Sequence, residues 1–171
     1  MSRKGAVKPL LNMLFVCTGN TCRSPMAVGI MRKLLASGLK WRVSLGSAGV
    51  SAFNGEPASR WAREVSRKHG IDLSTHRARR VTKEIAEASD LILGMQAIHV
   101  ERIKELCPSR IEHTFLITEL GATGAVASQG IADPMGGDEE AYSRCFAEIE
   151  ECLKRGMGFL TALMAGRPAV G

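Results

Sequence analysis

Cys17 and Arg23, with five residues between them in Cys17-Thr18-Gly19-Asn20-Thr21-Cys22-Arg23-Ser24-Pro25, are of types and spacing suited to capturing an oxyanion. Ser24 is a favourable N-cap and Pro25 suits the first helical position, so a helix is expected to begin where the loop ends. Its free N–H groups would point back into the loop, where negative charge is welcome. Gly19 and Asn20 tolerate left-handed backbone angles, so successive N–H groups can curl round one centre. Arg23 adds a planar fork of donors that matches two oxygens at once, and a phosphoryl group has the size and charge of the implied guest.

In that setting Cys17 is expected to lose its proton well below the ordinary thiol pKa of about 8.5, somewhere between roughly 3.5 and 7.5. The thiolate is a nucleophile. Its attack on phosphorus would give a phosphocysteine, and water would then release inorganic phosphate. The loop Thr18, Gly19, Asn20, Thr21, Cys22 and Ser24 would hold the equatorial oxygens as their charge redistributes, while the Ser24 hydroxyl steadies the sulfur as a leaving group. Cys17 and Cys22 would also suit half a zinc site, but no second Cys/His pair with ligand spacing follows, so no metal and no cofactor are expected. A lipid-acylation site at Cys17 is disfavoured by Val16 before it and by Asn12 within a short apolar run.

The loop resembles that of the low molecular weight protein tyrosine phosphatases. Ser47-Ala48-Gly49, His76-Arg77-Ala78-Arg79, Leu91-Ile92-Leu93-Gly94-Met95 and Asp133-Pro134 extend the resemblance in order along nearly the whole chain. It implies that Asp133, held extended by Pro134, gives a proton to the leaving group and takes one from water. It further implies that Ser47 supports the loop through Asn20, that His76 braces it, and that Phe53 and Met135 stand at the substrate cleft. Thr21 is similar to the protein-arginine phosphatase branch, where tyrosine-directed members commonly carry Ile; Met135 and Val28 depart from that branch. The implied partners are phosphorylated proteins. Arsenate reductases coupled to thioredoxin share a similar loop, but they need two further cysteines after the third strand, and only Cys107 lies just beyond it. Cys22 is placed to trap Cys17 as a disulfide under oxidation; packing beneath the loop is its alternative role.

The 171 residues suit one domain with an adequate core, expected over 11–165 between a basic tail, 1–10, and a short tail, 166–171. An apolar fraction of 45% and a charged fraction of 23% are ordinary for a globular chain. No run approaches the twenty or so apolar residues of a membrane span, no leader pattern is evident, and an active thiolate suits a reducing compartment, so a cytoplasmic protein is expected. The net charge of +6 would suit nucleic acid, but the basic residues are scattered apart from Arg77 to Lys83, and aromatic residues are just 5%. Neither nucleic acid nor membrane is expected as a partner; the oligomeric state stays open, a monomer being simplest. Strands at 11–16, 42–47, 90–95 and 113–117 alternate with helices from Pro25 to about Ser37, Ala58 to His69, a short one capped by Thr82, Ile98 to Leu106 and Asp138 to Met164. That alternation predicts an α/β fold, a single three-layer α/β/α domain with a four-stranded parallel sheet and the phosphate-binding loop after its first strand. The segment Gly121 to Gly130 is expected to be a mobile loop that delivers Asp133, and Gly156 and Gly158 to bend the last helix.

Overall fold

The first strand, β1 (Leu11–Cys17), sits at the centre of the sheet, and the reason is in its side chains. Met13, Phe15 and Cys17 enter one core cluster while Leu14 and Val16 enter another, so both faces of β1 are covered, as an interior parallel strand requires. The structure, a computed structural model, describes residues 11–36, 43–125 and 129–165. The expected tails lie outside the described residues.

From β1 the chain passes through α1 (Arg23–Ala36) to β2 (Val43–Gly49), then through α2 (Arg60–Lys68) and α3 (Lys83–Glu87) to β3 (Leu91–Gly94). It continues through α4 (Ala97–Leu106) and β4 (Thr114–Leu116) to the long closing helix α5 (Glu139–Met164). The strand order is β2-β1-β3-β4, every pair parallel. Residues of α1, α2 and α5 fill the larger cluster and those of α3 and α4 the smaller. Because β2 and β3 lie on opposite sides of β1, the connections diverge at the carboxyl end of β1, which is where ligands bind in open α/β sheets.

Several boundaries differ from the sequence expectation, and one expected bend is absent. Helix α1 begins at Arg23, two residues early, because Met26 N–H already bonds the Cys22 carbonyl at 3.3 Å. Ser24 is therefore inside the first turn rather than a cap, and Pro25, without an N–H, fits there. Strand β2 continues through Ser47-Ala48-Gly49, paired with Phe15, Val16 and Cys17. A Cβ on Gly49 would stand 2.4 Å from the Thr18 carbonyl, so only glycine lets the strand run this close beneath the loop. Strand β4 stops at Leu116, whose N–H is taken by the Glu119 carboxylate of a short 3-10 turn. Helix α5 runs unbroken through Gly156, where a Cβ would meet Leu120 at 2.4 Å; that glycine serves close packing, not a bend. The expected ends at 37 and 42, and residues 126–128 of the expected mobile loop, lie outside the described residues.

Candidate active site

Asn20 organises the loop after β1. It alone of the described non-glycine residues has a positive φ, 56°, in the left-handed region that asparagine tolerates. Its N–H approaches Cys17 Sγ at 3.3 Å, and its amide nitrogen donates to Ser24 Oγ at 2.8 Å and Ser47 Oγ at 2.9 Å. Its side-chain oxygen accepts from Arg79 N–H at 2.9 Å, and its carbonyl accepts from His76 Nε2 at 2.7 Å. Gly19, expected to share the left-handed turn, has no positive φ. The N–H groups of Thr18, Gly19, Thr21 and Cys22 have no acceptor among the described residues, as a cradle for an anion requires.

Ser24 Oγ stands 3.0 Å from Cys17 Sγ. The Asn20 amide nitrogen can only donate, so Ser24 accepts from it and keeps its own proton for the sulfur. The expectation that Cys17 ionises easily is reversed here: burial pushes the thiol up, opposed by the Ser24 hydroxyl and N–H, then by Arg23 and by Asn20 N–H. The thiol is almost fully buried, and the nearest positive charge is already engaged by a carboxylate. Ser24→Ala therefore moves the acid limb of the kcat/KM profile to higher pH. It also lowers kcat roughly ten- to hundredfold, the worth of a hydrogen bond to a charged group. A pH–rate profile of the two proteins measures both effects.

That carboxylate is Asp133. Arg23 is 1% exposed; its Nη2 meets Asp133 Oδ2 at 2.5 Å, and its Nη1 donates to Gln96 Oε1 at 2.6 Å and to the Ile131 carbonyl at 3.1 Å. Its Nε has no partner among the described residues. The guanidinium is thus held from behind through Nη1, and its Nε–Nη2 edge, the one suited to two oxygens of an anion, is engaged by Asp133 alone. Asp133 is brought there by Ile131 N–H bonding the Met95 carbonyl at 2.8 Å and by an antiparallel bridge between Gly130 and Gln96.

Residues 12–165 match the family model described as low molecular weight phosphotyrosine protein phosphatase. The chain belongs to that family. A probable low molecular weight protein-tyrosine-phosphatase EpsP of Ralstonia nicotianae is 37% identical over 145 residues, covering 85% of this chain and 90% of that relative. A protein-arginine-phosphatase of Geobacillus stearothermophilus is also 37% identical over 145 residues, covering 84% and 91%. Among solved structures, the YwlE arginine phosphatase from Geobacillus stearothermophilus superposes with a TM-score of 0.81 at 33% identity, over 94% of this chain and 99% of that one. The low molecular weight protein tyrosine phosphatase from T. tengcongensis gives 0.79 at 35% identity, over 87% and 99%. The fold is that of these phosphatases, and the chain is a hydrolase of their kind.

Around the phosphatase loop, Ser47 and His76 lie against Asn20, and Arg79 doubles the tie through Nε to the Ser47 carbonyl at 2.9 Å. Burial lowers the His76 pKa, with Arg77 and Arg79 acting in the same sense and its bond to Asn20 opposing. Cys22 is buried and free; its sulfur touches Tyr142 OH at 3.2 Å and donates to Ser59 Oγ at 3.3 Å. Burial pushes Tyr142 up to about 12, so it is a neutral partner. Thr21 is buried, and its hydroxyl and Met135 Cε are the atoms nearest a Cβ built on Gly19, at 3.4 and 4.0 Å. Met135 is 60% exposed. Phe53, 74% exposed, has no described contact with the loop itself but belongs to the segment whose Ser51 N–H bonds the Thr18 carbonyl at 3.0 Å. Sequence reading missed Ser59, Arg79, Gln96, His99 and Tyr142; only Gln96 and His99, three apart where α4 opens, carry a readable signal, the spacing at which an N3 side chain accepts from the N-cap N–H.

Proposed function

We propose that this chain is a protein phosphatase that works through a phosphocysteine on Cys17 and prefers phosphoarginine to phosphotyrosine. The observation that carries the catalytic reading is the buried Arg23, whose charge acts on the Cys17 sulfur and whose Nε–Nη2 edge is engaged by Asp133 through Nη2 alone, Nε having no partner among the described residues. A phosphoryl group entering the loop takes that edge with two oxygens and the free N–H groups with the rest. Cys17, as thiolate, attacks phosphorus; the P–N or P–O bond breaks, and Asp133 gives its proton to the leaving atom. Water then attacks the phosphocysteine, Asp133 takes a proton from it, and the sulfur departs with the Ser24 hydroxyl donating to it.

Thr21 supports the substrate preference. Its hydroxyl, beside Gly19 and near Met135, can accept from a guanidinium N–H that enters the loop, whereas Ile at that place offers only apolar surface to an aromatic ring. Thr21→Ile is expected to shift the ratio of kcat/KM for phosphoarginine over phosphotyrosine peptides at least tenfold toward phosphotyrosine, about 1.4 kcal/mol. An unchanged ratio refutes the preference. Arsenate reduction coupled to thioredoxin is the alternative. Against it, Cys107 belongs to the smaller cluster, on the other face of the sheet from Cys17; an arsenate assay with thioredoxin tests it directly.

A further inference from the structure

We infer that His99 is a positioning residue for catalysis, a buried single-tautomer donor that fixes Thr18, the loop residue next to the nucleophile. His99 is 0% exposed and sits in the first turn of α4, well apart in sequence from the loop. The backbone N–H of Gln96 points at its Nδ1 at 3.0 Å. An N–H can only donate, so Nδ1 is the acceptor and the ring proton is on Nε2. Nε2 lies 2.9 Å from Thr18 Oγ1 and donates to it.

Burial, with Arg23 acting in the same sense and Asp133 opposing, lowers the His99 pKa to about 4. The ring therefore stays neutral at working pH and never competes with Arg23 for an anion. Thr18 is held at two points, its carbonyl by Ser51 N–H at 3.0 Å and its hydroxyl by His99. Ser51 N–H thereby fixes the peptide between Thr18 and Gly19, and Val50 N–H on the Cys17 carbonyl at 3.0 Å fixes the peptide between Cys17 and Thr18. His99 holds the Thr18 side chain that joins them, and the N–H groups of both peptides are among the loop donors without a described acceptor. The same corner carries Gln96, which holds Arg23, and Met95, which pins the segment leading to Asp133. The start of α4 thus registers loop, clamp and acid on one another, and His99 is its contact with the loop.

This inference rests on the phosphatase reading, and its test separates the two. His99→Asn keeps an acceptor near the Nδ1 place and so keeps the cap, but it cannot reach Thr18. Thr18→Val removes the hydroxyl and keeps the shape. Each variant, assayed with an aryl phosphate, is expected to lose about tenfold in kcat with KM within about twofold. The double variant should lose no more than either single one, because the two changes remove one interaction. His99→Gln, which puts a donor near the Nε2 place, should recover part of the loss. Unchanged kcat in Thr18→Val, or single losses that multiply in the double variant, overturns the role of His99; if His99→Asn does not fold, Thr18→Val alone decides. A wild-type protein inactive on aryl phosphate, phosphotyrosine and phosphoarginine alike overturns the phosphatase reading instead.

Discussion

Arg23→Lys is expected to lower kcat/KM at least a thousandfold, although the charge is kept. The guanidinium does two jobs that an ammonium cannot combine: Nη1 is anchored on Gln96 and the Ile131 carbonyl, while the buried Nε–Nη2 edge is engaged by Asp133 alone and keeps Nε without a partner among the described residues. Lysine offers one compact head that must choose between the anchor and the anion. Clamping the transferring phosphoryl group is where arginine contributes most, roughly 10³ to 10⁵ in turnover where it has been isolated. Steady-state kinetics with an aryl phosphate measures it, and a loss below tenfold means that Arg23 is not the clamp.

Asp133→Asn is expected to move catalysis and product affinity in opposite directions. Turnover falls roughly 10²- to 10⁴-fold, the usual worth of a positioned acid–base group, and most for substrates whose leaving group most needs a proton. Inorganic phosphate should meanwhile bind several-fold more tightly, because Asp133 no longer competes for Arg23 Nη2. The ion pair is lost as well, but Asp133 is 35% exposed and Arg23 keeps its anchors on Nη1. The expected cost in stability is therefore about 1 to 2 kcal/mol, below that of a fully buried pair, read as a fall of roughly 2 to 8 °C in Tm. Phosphate inhibition constants beside kcat test the idea; weaker phosphate binding in Asp133→Asn contradicts competition for Arg23.

The parts of this site that lie within a few residues of one another were readable before any coordinates. Cys17, Asn20, Arg23 and Ser24 come in one run; Ser47 and His76 are named only through the resemblance to the phosphatase family. The sheet was readable because β1 from Met13 onward and β3 are continuous apolar runs, as strands covered on both faces require. What escaped were contacts made across the fold by residues of unremarkable type: His99 on Thr18, Gln96 on Arg23, Tyr142 and Ser59 on Cys22.

The Cys17 thiol shows a second kind of limit. The loop's sequence names every donor that favours the thiolate, yet desolvation depends on how closely β2, α1 and the loop enclose the sulfur, and it is the larger influence. The start of α1 shows a third. A serine before a proline looks like a cap, but the Ser24 hydroxyl lies between Asn20 and the Cys17 sulfur, and the helix starts without it.

The covalent step is the centre of the account, and trapping it is the most direct test. Wild-type protein turning over an aryl phosphate is quenched rapidly in alkali and the bound phosphorus read by NMR. A phosphorus–sulfur resonance that maps to Cys17 and is lost in Cys17→Ser is the predicted result. Sustained turnover with no such species, and with Cys17→Ser as fast as wild type, would contradict it.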